Sequence, residues 1–244
     1  MRYDGGGGGG VKFPSFEFTP LDYLKFAQNE LGTDSSKSMS LQSSLNCVNH
    51  LKRAADCAID TFLYVLNLYD LFRKRNLKFE KKIELLNSMG LFNPRSLNKL
   101  NTIRNKMEHE YRSPEGANLD LYYELVQGFV YALDASIHML AIDREMQFVT
   151  LDYTDDNIRS RLGLSVEYSF NKPSVSFELF DHGKLDRLDF VAPDNVENFA
   201  FAVNALFLLI RSKALISTQS VSDNLLIAYA SLEKSSNVND RTAT

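Results

Sequence analysis

The pattern of apolar and polar positions divides the chain into long helical stretches and one region of strict alternation. Apolar residues first recur at three- and four-residue steps, the period of an amphipathic helix. This period predicts one long helix that begins at Ser38 or Ser40 and continues to about Phe72. Its apolar positions are Leu41, Leu45, Val48, Ala55, Ile59, Phe62, Leu66 and Tyr69.

Residues that favour helix ends delimit the other helices. Proline in the first turn and glycine after the last turn are the strongest of these signals, because one fixes φ and the other tolerates positive φ. The predicted helices run from Thr19-Pro20 to Leu31-Gly32, from Phe79 to Met89 before Gly90, from Asn93-Pro94 to about Tyr111 before Ser113-Pro114, from Asn118 to Arg144, from Pro193-Asp194 to about Leu215, and from Val221 to Leu232.

The period changes to two between the last two long helices. Apolar and polar residues alternate in three segments, 164–170, 174–179 and 188–192, separated by Asn171-Lys-Pro and Asp181-His-Gly turns. A fourth, weaker strand is predicted over Gln147–Leu151. The fold class is therefore mainly α, a helical bundle with a small antiparallel β-meander inserted at about 146–193, before the last long helix.

The length of 244 residues and the ordinary globular composition are typical of one large domain. Residues 1–18, which include six consecutive glycines, are interpreted as a flexible leader, 19–232 as the domain, and 233–244 as a polar tail. Two cysteines ten residues apart on one helix lie about 15 Å apart and cannot pair, which favours a reducing cytoplasm. The longest apolar stretch, Phe199–Ile210, is too short to span a membrane, so no membrane span is expected.

Charge is distributed unevenly along the chain. The segment from Arg73 to Arg112 contains eleven Lys and Arg residues and four acidic residues, a local balance of 11 − 4 = +7 in a chain of net charge −4. Such a segment can bind a polyanion, for example RNA. The alternative, favoured on charge alone, is a solvated helix pair whose cations meet acidic residues elsewhere in the fold.

The predicted helix after Asn93-Pro94 carries the candidate chemistry. With about 100° per residue, Leu97, Leu100, Ile103 and Met107 form the expected buried stripe, and Arg104 lies at its edge. Asn105 and His109, four residues apart, fall on the side expected to be exposed. His109 suits proton transfer near neutral pH, and Arg104 offers a permanently charged fork for phosphoryl oxygens.

The string RNKMEH at 104–109 resembles the R-x4-6-H signature of the HEPN superfamily (higher eukaryotes and prokaryotes nucleotide-binding), whose members are bundles of four to five helices. Extended to Tyr111, it resembles the R-x4-H-x-Y toxins of the HEPN/MNT toxin–antitoxin systems. In those systems a minimal nucleotidyltransferase antitoxin adenylylates the motif tyrosine.

The resemblance implies a cytoplasmic, metal-independent endoribonuclease that acts as a toxin or phage-defence effector, with RNA as substrate and no cofactor. Arg104, Asn105 and His109 would be catalytic, and Lys106 and Arg112 would hold flanking phosphates. Tyr111 would be the modification site of an antitoxin of the nucleotidyltransferase class. Since each chain supplies one motif histidine and the reaction needs two proton transfers, a homodimer through the motif helix is expected.

Two other interpretations remain. The chain could be a catalytically inactive HEPN module that binds a nucleotide, RNA or a protein, or a helical scaffold in which Arg104 pairs with Glu108 and the motif arises by chance. Asp56, Asp60 and Asp70 could each supply an acid to the site, and the sequence does not choose among them. His50, His138 and His182 show no ligand spacing, so no metal site is expected.

Overall fold

The chain folds into a helical bundle with an antiparallel sheet. The structure, a computed structural model, describes residues 2–7, 11–32, 40–74, 77–93, 95–110, 118–154, 157–181, 184–213, 216–217 and 219–227. The helices are α1 (Pro20–Leu31), α2 (Leu41–Val65), α3 (Tyr69–Lys74), α4 (Phe79–Ser88), α5 (Arg95–His109), α6 (Leu119–Ile142) and α7 (Val196–Arg211), and residues 219–227 are also helical. The strands are β1 (Arg2–Gly7), β2 (Glu145–Thr154), β3 (Asn157–Ser169), β4 (Ser174–Asp181) and β5 (Lys184–Val191).

Side-chain caps fix the helix starts that the sequence predicts. Thr19 and Asp22 form a capping box at α1, in which the Thr19 N–H donates to Asp22 Oδ2 (2.8 Å) and the Asp22 N–H donates to Thr19 Oγ1 (3.3 Å). Ser40 accepts from the Ser43 N–H at the start of α2, and Asn118 caps α6 in the same way. These boundaries are confirmed because each depends on residues within one turn of the helix end.

The predicted single helix to Phe72 is wrong. Helix α2 ends at Val65, and Asn67 adopts a left-handed backbone (φ 54°) before α3 begins. The Asn67 amide donates to the carbonyl oxygens of Phe170 (3.0 Å) and Asn171 (3.3 Å), in the turn between β3 and β4. A long-range contact therefore ends the helix at a point where the apolar periodicity continues.

The core lies around α2, which packs against α1, α5 and α6. Helix α6 is long and apolar enough to cross a membrane by length and composition, with a mean hydropathy of 1.5 over its most apolar window. Eight of its residues, among them Phe129 and Leu133, are buried in the bundle, and core helices of water-soluble proteins meet the same criterion. The expectation that the chain has no membrane span was drawn from the shorter stretch at 199–210 and did not consider this helix.

The sheet has the strand order β1-β2-β3-β4-β5, with every pair antiparallel, and strands β4 and β5 contact α7. The predicted meander is confirmed between α6 and α7, and its strands extend beyond the alternating segments. Tyr168, on β3, is 1% exposed and donates its hydroxyl to the Leu66 carbonyl (2.8 Å), which joins the sheet to the end of α2. The leader interpretation of residues 1–18 differs from the structure at Arg2–Gly7, which pair with β2.

Candidate functional site

Helix α5 carries the motif and packs against α2 and α6. The Asn93 side-chain oxygen accepts from the Arg95 N–H (3.1 Å), so the predicted Asn-Pro start is confirmed at the asparagine, while Pro94 lies outside the described residues. Leu97 is 1% exposed and Ile103 is half-buried against the core. The Glu110 N–H donates to the Lys106 carbonyl (3.0 Å), so helical hydrogen bonding continues past His109.

A buried polar contact sets the rotation of α5. Asn101 is 5% exposed, and its Nδ2 donates to Glu80 Oε1 on α4. A buried amide needs such a partner, because its lost contacts with water are otherwise not replaced. Glu80 therefore holds the Asn101 side of α5 against the bundle. No sequence signal indicates this contact, because Glu80 belongs to another helix and stands in the sequence as one acid within a basic segment.

Asn105 is half-buried, which corrects the expectation that it lies on the exposed side of α5. Leu97, Asn101 and Asn105 are four residues apart and form one row along the helix, which faces the neighbouring helices. The row turns by about 40° at each step, and His109 is its next position. The structure describes the backbone of Arg104 and His109, which lie in the last two turns of α5, and their side chains lie outside its described part.

The opposite side of α5 carries a basic row. Arg95, Lys99 and Lys106 are exposed, fall within about 40° of one another around the helix, and span about 16 Å along it. None of the three forms an ion pair with a residue that the structure describes. Lys106, expected to hold a flanking phosphate, is thus exposed, whereas Tyr111 and Arg112 lie outside the described residues.

Lysines on the neighbouring helices, in contrast, form ion pairs with acidic residues. Lys82 on α4 binds Asp60 on α2 (2.5 Å), and Lys81 binds Glu84 (2.7 Å). Lys52 binds Asp56 and packs over the Phe79 ring. Two of the three candidate acids, Asp56 and Asp60, thus serve ion pairs, while Asp70 is exposed in the first turn of α3. Pairing with acids elsewhere explains part of the basic segment and leaves the α5 row available to an external anion.

The remaining histidines and the thiols lie in other parts of the bundle. Within the described ranges, no three His, Cys, Asp or Glu residues come together as metal ligands. His50 packs against the Phe26 ring, and burial lowers the pKa of its imidazole. His138 is exposed beside Asp134, and His182 lies outside the described residues. Burial raises the pKa of Cys47 to about 12 and that of Cys57 to about 11, so both thiols are protonated at neutral pH.

The geometry thus provides a packed motif helix, an oriented row that leads to His109, and a separate basic row on the exposed side. The comparisons with known proteins found no matching family model, no matching curated protein and no matching solved structure.

Proposed function

We propose that this chain is a metal-independent endoribonuclease of HEPN type that acts as a dimer, as a toxin or phage-defence effector. The observation that carries the proposal is α5 itself. This helix holds the R-x4-H string in its last two turns, packs on the bundle through Leu97 and Asn101, and precedes the long helix α6. The same layout of motif and helices is the one that the HEPN resemblance implies.

The proposed reaction is transphosphorylation, in which the RNA supplies its own nucleophile. The 2′-hydroxyl attacks the adjacent phosphorus, and the bond to the 5′-oxygen of the next nucleotide breaks. A base takes the proton of the 2′-hydroxyl, and an acid gives a proton to the departing 5′-oxygen. The products are a 2′,3′-cyclic phosphate and a 5′-hydroxyl. His109 would transfer protons, Arg104 would stabilise the charged phosphorane, and Asn105 would orient one of these groups.

The basic row supports RNA as the substrate. Arg95, Lys99 and Lys106 present three cations over about 16 Å without described acidic partners, and contacts of this kind position a phosphate backbone. Arg112 would extend this contact beyond the described residues. Since phosphate binding releases counterions, we expect the affinity for RNA to fall steeply with salt concentration.

A homodimer through α5 would supply the second proton-transfer group. Each chain has one motif histidine, and a two-fold axis beside α5 would bring two copies of His109 to one cleft. Light scattering tests this directly, because a strictly monomeric protein with full nuclease activity would contradict the dimer.

The R-x4-H-x-Y string also suggests how the activity is restrained. An antitoxin of the nucleotidyltransferase class would transfer a nucleotidyl group to the Tyr111 hydroxyl, adding bulk and negative charge two residues after His109. Intact-mass measurement after co-expression with such an enzyme should show the added nucleotide, and Tyr111→Phe should abolish it. A chain that is neutralised without any added mass would instead indicate inhibition by binding alone.

A catalytically inactive RNA-binding module is the second candidate. The observation that favours it is the position of Arg104 on α5, about 160° from Lys106 around the helix. RNA could therefore contact the basic row without reaching Arg104.

Cleavage of a labelled RNA in EDTA separates the two candidates. Wild type that cleaves, with Arg104→Ala and His109→Ala inactive but folded by circular dichroism, supports the nuclease. Wild type that binds the RNA but does not cleave it supports the inactive module, and an RNA that neither binds nor is cleaved contradicts both. Lys25→Ala, which removes an exposed cation on α1, is the charge control.

A further inference from the structure

A groove of about 780 Å³ lies between α4, α7 and the helical residues 219–227. Its volume falls within the range of pockets that bind small organic molecules. Side chains of mixed character line it: apolar ones form much of the wall, and a few amides, hydroxyls and charged groups are placed among them. The apolar lining residues are Phe72, Leu77, Leu85, Val196, Ala200, Phe201, Leu208 and Ile227.

Arg211, the last residue of α7, places a half-buried guanidinium in this groove. Its Nη1 donates to the Gly90 carbonyl (3.2 Å), and its guanidinium carbon lies 5.9 Å from the centroid of the Phe207 ring. Gly90 has φ +70°, and a Cβ built there would lie 2.2 Å from Asn204 Oδ1. The end of α4 therefore fits closely against α7, and this close approach holds Arg211 in place.

The charge of Arg211 is not balanced by a described neighbour. No carboxylate of the described residues lies within ion-pair distance of its guanidinium. Lys213, only two residues later, binds Asp143 at 2.7 Å. A guanidinium has five N–H donors and stays charged at neutral pH, so the bond to Gly90 leaves donors for another acceptor.

We propose that this groove binds a small organic anion, whose apolar body lies along the walls and whose carboxylate or phosphate group accepts from Arg211. Lys81, Glu84 and Glu197 also line the groove, and Lys81 pairs with Glu84. Arg211 differs from these groups because its guanidinium is half-buried, and hydrogen bonds to charged groups gain strength where water is partly excluded. Asn204 and Asn224, which also line the groove, offer amides to further polar atoms of the ligand. This site goes beyond the proposed nuclease and does not depend on it.

Titration calorimetry with three eight-carbon probes tests the proposal: octanoate, octyl phosphate and the uncharged octanol. We expect one or both anions to bind the wild-type protein at least ten-fold more tightly than octanol. Binding of octanoate alone, of octyl phosphate alone or of both identifies the anionic group that the site accepts.

Three variants locate the binding. Arg211→Ala should weaken the anion at least ten-fold, and Arg211→Lys should weaken it less because the charge remains. Asn224→Phe places bulk on an exposed wall of the groove and should weaken the anion without touching the core. Arg53→Ala, which removes an exposed arginine on α2 outside the groove, should leave the affinity unchanged.

The proposal is overturned if neither anion binds at millimolar concentration, or if octanol binds as tightly as the anions. It is also overturned if the anion binds both Arg211→Lys and Asn224→Phe as tightly as wild type. These two variants keep the bundle intact, so they still test the proposal if Arg211→Ala fails to fold. Loss of RNA cleavage has no bearing on these results, so a failure here is distinguishable from a failure of the proposed function.

Discussion

The contact between Glu80 and Asn101 offers a test of how α5 is held in the bundle. Replacing Glu80 with alanine removes the acceptor on α4 and leaves the Asn101 amide buried at 5% exposure without its partner. Replacing Asn101 with alanine removes the donor instead. The double variant removes both, so the three variants form a thermodynamic cycle around one hydrogen bond.

The magnitude follows from the burial. An orphaned buried amide costs about 1–3 kcal/mol, and a hydrogen bond to a charged acceptor contributes about 1.5–3 kcal/mol. We therefore expect Glu80→Ala to lower the free energy of unfolding by about 2 kcal/mol, with a coupling energy between Glu80 and Asn101 of about 1–2 kcal/mol. For a chain of this length, 2 kcal/mol corresponds to a decrease in Tm of about 4–8 °C.

Urea unfolding followed by far-UV circular dichroism gives these free energies. Glu84→Ala is the matched control, because Glu84 lies on the same helix and pairs with Lys81 at the exposed surface. Its loss should change the stability by less than about 1 kcal/mol. A coupling energy near zero, or a Glu80→Ala variant as stable as Glu84→Ala, would refute the claim that this contact orients α5.

Three further predictions concern other buried or half-buried groups. Tyr168→Phe removes the hydroxyl that donates to Leu66 and should lower the free energy of unfolding by about 1–2 kcal/mol, and an unchanged urea midpoint would contradict this anchor. Burial raises the pKa of Cys47 to about 12 and that of Cys57 to about 11. Iodoacetamide at pH ~8 should therefore label both thiols more slowly in the native chain than in the urea-unfolded chain, and equal labelling rates would show that the thiols are accessible. Burial lowers the pKa of His50, so its imidazole binds a proton more readily in the unfolded chain than in the native one. The free energy of unfolding should therefore fall as pH drops below about 6.5. His50→Leu should reduce this slope, and an identical slope would exclude His50 as its source.

Elements with local signals were predictable from the sequence. Thr19, Ser40 and Asn118 cap helices through side chains that reach the first turn, and Gly90 takes the positive φ that ends α4. The strict alternation around Val166 is also a local signal. It predicted a strand because a period of two places one face of a strand on the core.

Elements that depend on distant contacts were not predictable. The break after α2 depends on Asn67 bonding to Phe170, 103 residues later, while the apolar pattern continues across it. Strand β1 consists half of glycine and has no side-chain period, so only its pairing with β2 defines it.

The candidate site shows the same division. The motif and its helix follow from the order of residues, whereas the pairing of each cation depends on which helices meet. Lys82 finds Asp60 on α2, and Lys99 finds no acidic partner among the described residues, although both belong to one basic segment. The burial of Asn101 likewise follows from the position of Glu80 on a neighbouring helix, which a helical wheel of α5 alone does not contain.

The central claim is that α5 carries a metal-independent ribonuclease centre with His109 as a proton-transfer group. Mass spectrometry of the RNA products formed in EDTA tests it most directly, with wild type, His109→Ala and the surface control Lys25→Ala compared at equal concentration. The account predicts 2′,3′-cyclic phosphate and 5′-hydroxyl ends from wild type and Lys25→Ala, and a loss of at least about 100-fold in cleavage rate for a folded His109→Ala. Equal cleavage by wild type and His109→Ala, or no cleavage by wild type, would contradict it.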